Sequence, residues 1–346
     1  MRKLIDRLFQ GERLTQKEFQ ALVLCEDQDV LELLFQRAKE RTEEVFGNHV
    51  YIRGLVEISS YCKQDCFYCG LRCSNKKAQR YRLSPKEILA TCEQGYEMGF
   101  RTFVLQGGED DFYTDEMLCD LIREICLSCP GSAVTLSLGE KNRRTYEAFR
   151  KAGASRYLLR HETATVEHFS RLHPPKQRLK SRIEALSTLK DLGFQVGAGF
   201  MVGSPFQTPE HLAEDLYFLQ EFRPHMVGIG PFIPHQDTPF GKYPAGSSAL
   251  TVKMVAITRG ILPGALIPAT TALATLDSRK QALQAGANVV MPNLSPNEVR
   301  VKYNLYNNKL STGTESAQML PALREELESY ERKMDMSRGD SPLWKA

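Results

Sequence analysis

Short apolar runs, many of them β-branched, alternate with longer amphipathic segments through most of this chain. The runs have the length and composition of buried β-strands, and the longer segments carry apolar residues at helical spacing. Predicted strands fall at residues 50–59, 102–106, 133–137, 156–160, 195–201, 225–230, 265–271 and 288–291. Predicted helices between them fall at residues 84–98, 114–127, 143–152, 178–192, 209–222, 251–261 and 279–285.

This alternation predicts an α/β fold. Strands that alternate with helices form parallel sheets, and eight such units within about 250 residues are typical of a closed (β/α)8 TIM barrel. Residues 49–309 would form the barrel, residues 1–48 an N-terminal helical extension, and residues 310–346 a C-terminal helical tail. Ser84 is a plausible N-cap for the first barrel helix, with Pro85 at its first position.

Composition narrows the class of protein. The chain has 346 residues, 42% of them hydrophobic, and a formal net charge of +3. So balanced a charge excludes nucleic acid or an anionic membrane as the main partner. There is no run of about 20 apolar residues that could span a bilayer. We therefore expect a cytoplasmic protein whose nine cysteines are free or metal-bound.

Three of these cysteines form the most distinctive pattern in the chain. Cys62, Cys66 and Cys69 have the spacing C-x3-C-x2-C and follow the first predicted strand. A 4Fe–4S cubane normally takes four thiolates, so three would leave one iron open to a non-protein ligand. The alternative is a zinc knuckle, completed by the nearby Cys73.

Unusual polar residues stand where the predicted strands end. Gln106 ends the second strand, Ser137 the third, and Glu162 follows the fourth. In (β/α)8 barrels the chemistry gathers at the carboxyl ends of the strands. The alternative is that these residues are structural, with an ordinary turn after Gln106 and an ion pair between Glu162 and Arg160 or Arg182.

The chain resembles the HydE family of FeFe-hydrogenase maturases, which are barrel-type radical S-adenosylmethionine enzymes. The phrases that carry the resemblance are EISSYCKQDCFYCGLR, FVLQGGED, VTLSLGE, RYLLRHETA, MVGIGPFIPH, IPATTA and ANVVMPN. Biotin synthase and methylornithine synthase share the architecture and the cysteine spacing, but RHETA and MVGIGPFIPH are more similar to HydE.

The resemblance implies two cofactors and the residues that hold them. One 4Fe–4S cluster would be bound by Cys62, Cys66 and Cys69, and its open iron would be chelated by S-adenosylmethionine. Glu162 matches a carboxylate that receives the polar groups of S-adenosylmethionine, and Arg182 matches a basic residue suited to its carboxylate. The family has further hydrogen-bonding positions around S-adenosylmethionine and the substrate, and these match Gln106, Thr135 and Ser137.

The resemblance also implies a substrate cavity inside the barrel. Its lining matches Arg53, Met226, Thr270, Thr271, Tyr303 and Tyr306. Arg53 lies in an otherwise apolar strand. An arginine that faces the interior would be unfavourable unless it met an anion. The sequence leaves open whether Arg53 faces inward or outward.

The activity implied is reductive cleavage of S-adenosylmethionine to a 5'-deoxyadenosyl radical. The radical would act on a small organometallic or amino-acid-derived substrate, in HydE the sulfur of a cysteine-bound iron carbonyl-cyanide complex, with transient contacts to partner hydrogenase maturases. Alternatives are a biotin-synthase-like sulfur inserter, a methylornithine-synthase-like mutase and a metal-binding scaffold without catalysis. Some family members carry a second cluster on C-terminal cysteines. Because residues 310–346 contain no cysteine, a single cluster is expected.

Overall fold

The computed structural model describes residues 1–310 and 316–345. Its strands are β1 (His49–Ile52), β2 (Gly54–Ser59), β3 (Thr102–Gly107), β4 (Ala133–Ser137), β5 (Arg156–Leu158), β6 (Gln195–Val202), β7 (Met226–Pro231), β8 (Val289–Val290) and β9 (Lys333–Asp335). Its α-helices are α1 (Arg2–Phe9), α2 (Gln16–Leu24), α3 (Gln28–Phe46), α4 (Pro85–Glu97), α5 (Asp115–Ser128), α6 (Arg143–Ala152), α7 (Val166–Leu172), α8 (Leu179–Asp191), α9 (Pro209–Phe222), α10 (Ser248–Ile261), α11 (Thr271–Thr275), α12 (Arg279–Gln284), α13 (Asn297–Arg300) and α14 (Leu320–Glu328).

The strands form a six-stranded and a three-stranded parallel sheet, which isolated bridges join into a circuit. β2 to β7 are hydrogen-bonded neighbours in chain order. From β7 the pairing continues through residues 265–269, where Leu266 accepts from the Val227 N–H and Ala269 donates to the Val289 carbonyl of β8. β8 pairs with β1, which leads into β2. This circuit of eight hydrogen-bonded segments confirms the predicted (β/α)8 architecture.

Local sequence explains where the helices begin. The Ser84 hydroxyl accepts from the Glu87 N–H and the Glu87 carboxylate accepts from the Ser84 N–H, so the two residues form a capping box. Pro85 occupies the first turn, where its missing N–H leaves no hydrogen bond unmade. The predicted start of this helix is therefore confirmed.

One predicted strand is wrong in part. Residues 265–271 make only isolated bridges at Leu266 and Pro268, because a proline has no N–H to donate to a neighbouring strand. Thr270 is the N-cap of α11, its hydroxyl accepting from the Leu273 N–H, and Thr271 is the first residue of that helix. Neither threonine lies in a strand.

The first predicted strand is interrupted at Arg53. The segment before it, β1, pairs with β8 and β9, whereas the segment after it, β2, pairs with β3. Arg53 is buried, so its side chain does not extend into solvent.

Helices at the amino terminus pack on the outside of the barrel. α1 and α3 contact α10, α2 contacts α9, and α3 also contacts α12. Their apolar faces are buried in the main hydrophobic core.

The carboxyl-terminal segment covers the end of the barrel where the strands begin. After α14 the chain forms β9, parallel to β1, so the tail is not purely helical as predicted. Arg156, the first residue of β5, donates to the Arg338 carbonyl at 2.7 Å and to Asp340 Oδ1 at 2.8 Å. The side chain of Gln195, the first residue of β6, accepts from the Ser341 N–H at 2.9 Å. Residues 311–315 and 346 of the predicted tail lie outside the described residues.

A membrane span was not expected from the sequence. In the part of the chain that the structure describes, none of the helices combines the length and the apolar character needed to cross a bilayer.

Candidate functional site

The cysteine loop lies between β2 and α4, at the carboxyl end of the sheet. Three backbone hydrogen bonds anchor it to distant segments. The Lys63 N–H donates to the Glu109 carbonyl at 2.8 Å, the Phe67 N–H to the Leu172 carbonyl at 2.9 Å, and the Gly70 N–H to the Leu305 carbonyl at 2.9 Å. The loop is therefore fixed by the ends of β3 and α7 and by the chain after α13.

Close packing against Gly108 also determines the position of the loop. A Cβ atom at Gly108 would collide with the Tyr61 carbonyl oxygen and the Cys62 Cβ. The absence of a side chain allows the two backbones to approach, as glycine does at tight contacts. The next residue, Glu109, donates its N–H to Cys62 Sγ at 3.4 Å.

The three loop cysteines are half-buried and form no disulfide. Burial raises the pKa of the Cys62 thiol, and it raises the pKa of Cys66 to about 12 with a further contribution from the Cys62 charge. Burial and the Cys66 charge likewise raise the pKa of Cys69. The three thiols would therefore ionise only beside a compensating positive charge, which a metal cluster would supply.

Within the described residues, no three His, Cys, Asp or Glu side chains converge as ligands of one metal ion. A cubane presents a separate iron to each cysteine, so its ligands need not meet at a single atom.

Glu162 lies beyond the end of β5 in an unusual conformation. Its φ of 67° is in the left-handed region, which is unfavourable for a residue with a side chain. Arg160 Nη2 lies 2.9 Å from Glu162 Oε2. The contact is an ion pair without hydrogen-bond geometry, and among the described residues Arg160 Nε is also buried without a hydrogen-bond partner. Such atoms indicate a polar ligand at this point.

Arg182, on α8, is the second predicted residue for S-adenosylmethionine. Its Nε donates to Glu140 Oε1 at 2.5 Å and its Nη1 to the Arg160 carbonyl at 2.8 Å. Although burial opposes it, Glu140 raises the pKa of Arg182. The residue that contacts Glu162 is thus Arg160, which the sequence offered only as a structural partner.

A row of polar side chains crosses the carboxyl ends of the first three barrel strands. Glu57, Gln106 and Ser137 are neighbours in register. Burial raises the pKa of Tyr303 well above its ordinary value, and Gln106 opposes that rise. Thr135 is on the same strand face as Ser137, since side chains two residues apart share a face. Its Oγ1 is buried and has no partner within the described residues.

Glu57 was missed by sequence reasoning. Its carboxylate accepts from Asn293 Nδ2 at 2.8 Å and from Lys309 Nζ at 2.7 Å. An acidic residue inside the apolar run that precedes the cysteines was an available signal. Lys309 gave none, because its partner lies 252 residues away in the chain.

Arg53 and Met226, two of the residues predicted to line a cavity, are buried and in contact. Arg53 Nη1 lies 3.3 Å from Met226 Sδ, and within the described residues its buried Nε and Nη2 atoms have no partner. Burial, together with the charge of Arg156, lowers the pKa of Arg53 well below its usual value. A buried guanidinium with two free donors is suited to an anion.

Of the other residues predicted to line a cavity, two lie at the start of α11, whereas Tyr303 lies beside Lys309. Thr270 caps this helix and Thr271 begins it. The Thr271 carbonyl accepts from Thr275 Oγ1 at 2.8 Å. Burial raises the pKa of Tyr306, and Thr275 opposes that rise. Tyr303 is buried and Tyr306 is half-buried, so both lie over the interior rather than in solvent.

Comparisons with known proteins agree with this arrangement. Residues 56–219 match the Radical SAM superfamily. The chain is 44% identical to the [FeFe] hydrogenase maturase subunit HydE of Thermotoga maritima, over 93% of this chain and 94% of that protein. It is 30% identical to 3-methylornithine synthase of Methanosarcina acetivorans, over 82% of this chain and 81% of that protein.

A solved structure confirms the architecture. The crystal structure of methylornithine synthase (PylB) superposes with a TM-score of 0.82 at 26% identity, covering 96% of this chain and 97% of that one. Radical SAM proteins use a 4Fe–4S cluster and S-adenosylmethionine, and the site described above contains the thiols and unpartnered polar atoms that these two groups need. The chain therefore belongs to the HydE family of the Radical SAM superfamily.

Proposed function

We propose that this protein is a HydE-type hydrogenase maturase that holds a single 4Fe–4S cluster on Cys62, Cys66 and Cys69. When bound and reduced, the cluster supplies one electron that cleaves S-adenosylmethionine to a 5'-deoxyadenosyl radical. The chain itself binds and orients the reactants and keeps water away from them.

The observation that carries the proposal is the convergence of cysteine and charged side chains at one end of the barrel. The charges of Arg182 and Glu162 both act on the Cys66 thiol. Because electrostatic effects decline with distance, both side chains must lie near the loop. A zinc knuckle does not need charged side chains of this kind beside its thiolates.

We assign the unpartnered atoms at this end to S-adenosylmethionine. Binding would open the ion pair between Glu162 and Arg160. Glu162 Oε2 would then accept from the amino group of S-adenosylmethionine, and the Arg160 Nε and Nη2 donors would bind its carboxylate, a planar anion that matches a guanidinium fork. Arg182 would hold Arg160 in place by donating to the Arg160 carbonyl. Its own charge would add to the positive charge at the site. Gln106, Thr135 and Ser137 would hydrogen-bond the rest of the cosubstrate or the substrate.

Deeper in the barrel, Arg53 would bind an anionic substrate or product. Its two free donors and the adjacent Met226 sulfur offer one polar and one soft contact, which suits a small organometallic anion. The cysteine-bound iron carbonyl-cyanide complex has this chemistry. Thr270, Thr271, Tyr303 and Tyr306 would complete the lining, with partner hydrogenase maturases making transient contacts at the mouth. A cytoplasmic location fits nine cysteines without a disulfide.

The experiment that tests this function compares products. The reconstituted, reduced protein is incubated with S-adenosylmethionine and a synthetic cysteine-bound iron carbonyl-cyanide complex. Consumption of the complex coupled to loss of S-adenosylmethionine supports the proposal. There is a second candidate function, a mutase that acts on an amino acid, and the 30% identity to 3-methylornithine synthase supports it. Formation of 3-methylornithine from candidate amino acids, with the iron complex left unchanged, would establish that function instead.

A further inference from the structure

Glu162 is held in its left-handed conformation from one side by β6. Its N–H donates to the Gly199 carbonyl at 3.0 Å, and its carbonyl accepts from the Met201 N–H at 3.2 Å. These bonds fix the peptide groups on either side of Glu162. Both bonds come from β6. The neighbours His161 and Ala164 instead contact a side chain of α9.

Asp215, on α9, contacts the chain on both sides of Glu162. Its Oδ1 accepts from the Ala164 N–H at 2.6 Å and lies 3.3 Å from His161 Nε2. The Asp215 side chain is fully buried. Burial raises the pKa of Asp215 well above its ordinary value, because it disfavours the charged form of the carboxyl. The Asp215 carboxylate accepts from the Ala164 N–H and not from a group of its own helix, which indicates a role in the segment around Glu162.

His161 has a defined tautomer. Its Nδ1 accepts from the Gly199 N–H at 3.2 Å, so its proton is on Nε2, which lies 3.3 Å from Asp215 Oδ1 without forming a hydrogen bond within the described residues. Burial and the charges of Arg160 and Arg182 lower the pKa of His161 to about 3, so the ring is neutral. His161 thus fills the space between α9 and β6 and fixes the distance between them.

We propose that Asp215 is a positioning residue that holds Glu162 toward the cluster loop, by bonding the Ala164 amide and abutting His161. The inference rests on the proposed role of Glu162 in binding S-adenosylmethionine. A left-handed residue persists only where its surroundings enforce it. β6 holds the two peptide groups of Glu162 and His168 contacts the Thr163 hydroxyl at 3.0 Å, while Asp215 adds the bond to the Ala164 amide. Oδ1 carries both contacts, and within the described residues Oδ2 has no partner. The acceptor oxygen rather than the charge is therefore the functional feature.

This reasoning predicts how two substitutions differ. Asp215→Ala removes the acceptor. Asp215→Asn keeps an acceptor oxygen at the same position and puts its amide where Oδ2 has no partner. The test measures the dissociation constant of S-adenosylmethionine for the oxidised, cluster-loaded protein, with iron content and circular dichroism as checks of folding. Asp215→Ala is expected to weaken binding by about tenfold or more, and Asp215→Asn by less than about threefold.

A second readout needs no cofactor. Hydrogen exchange of the segment around Ala164 in the metal-free protein should be faster in Asp215→Ala than in wild type and should return to near the wild-type rate in Asp215→Asn. The matched control is Glu214→Ala, which changes the neighbouring residue of α9, bonded to Gln16 on α2. It should leave both readouts unchanged. If the alanine variant does not fold, Asp215→Ser breaks the same bond by shortening the side chain.

The outcomes separate this inference from the function on which it rests. Glu162→Ala is measured in parallel and should lose affinity at least as strongly as Asp215→Ala. If Glu162→Ala loses affinity but Asp215→Ala stays within about twofold of wild type, Asp215 does not position Glu162. If Asp215→Asn is as weak as Asp215→Ala, charge is required and the acceptor account is wrong. If Glu162→Ala binds normally, the assignment of Glu162 itself fails and Asp215 has nothing to position.

Discussion

Lys309 Nζ lies 2.7 Å from Glu57 Oε1, and their side chains are 7% and 0% exposed. The pair joins the first barrel strand to the segment that carries Tyr303 and Tyr306. That segment also receives the Gly70 N–H of the cysteine loop at the Leu305 carbonyl. One buried ion pair therefore fastens the segment of Tyr303 and Tyr306 to the strand that leads into the cysteine loop.

Replacing Lys309 by methionine should destabilise the fold. The change keeps the length of the side chain but leaves Glu57 buried without its cation, and breaking a buried pair costs about 3–5 kcal/mol of unfolding free energy. Urea unfolding measures the loss. The matched control is Lys180→Met, in a pair with Glu184 in which the two side chains are 85% and 65% exposed. Its effect should stay below about 1 kcal/mol.

The same variant should show a defined pH dependence. Burial raises the pKa of Glu57, and Lys309 opposes that rise. Without Lys309 the folded-state pKa moves further above 4.5, the ordinary value. As pH increases above that value, unfolded Glu57 releases its proton while folded Glu57 retains it, so stability is lost. The deficit of Lys309→Met relative to wild type should grow from pH 4.5 to 7. A deficit that shrinks over this range would contradict a buried, paired Glu57.

Gly108→Ala should disturb the cluster loop. The added methyl group collides with the backbone of Tyr61 and with Cys62, so the loop must move away from the end of β3. We expect less iron bound per chain after reconstitution, measured by iron and sulfide analysis. Gly131→Ala is the control, because a Cβ there meets no atom within 4 Å, although its φ of 76° carries some strain. Equal iron content in the two variants would mean that the loop tolerates the displacement.

Iron binding should depend on three cysteines and not on a fourth. Cys73 is exposed, and its N–H donates to the Gln64 carbonyl at 2.9 Å. Cys73→Ser should keep about four irons per chain, whereas Cys69→Ser should lose the intact cluster. Zinc bound by the wild type and lost in both Cys69→Ser and Cys73→Ser would favour the zinc knuckle. About eight irons per wild-type chain would instead indicate a second cluster.

An anion should bind at Arg53. Arg53→Met removes the unpartnered donors, so binding of iodide, located by anomalous scattering and titrated by calorimetry, should weaken by about tenfold or more. Arg53→Lys should be intermediate, since it keeps the charge but loses the fork. Arg101→Met is the control, because Arg101 lies over the Tyr96 ring outside the barrel. Unchanged iodide affinity in Arg53→Met would remove the anion site.

Much of the fold follows from local sequence. The strand at residues 133–137 and the helix at residues 143–152 have the predicted bounds, because apolar alternation and capping residues define them within a few positions. The segment containing Thr270 and Thr271 was misplaced, since an apolar run is compatible with a strand until the Thr270 cap is seen. β9 could not be predicted, because a three-residue strand depends on its partner β1 rather than on its own pattern.

The candidate site, like the fold, could be predicted from the sequence only in part. The cysteine loop and Glu162 could be found from sequence, since spacing and resemblance both point to them. The pairing of Arg182 with Glu140, the contact of Arg160 with Glu162, and the bond from Ala164 to Asp215 could not. Each depends on how helices pack around the strand ends, and no local pattern encodes the distance between residues from different segments.

Formation of 5'-deoxyadenosine by the anaerobically reconstituted, dithionite-reduced protein tests the central claim most directly. The measurement compares wild type with Cys66→Ala in the presence of S-adenosylmethionine, after iron and sulfide have been quantified. We predict product from wild type and none from the variant, because loss of one thiolate removes the cluster that reduces the cosubstrate. Equal product from both, or no product from wild type with its cluster intact, would contradict the account.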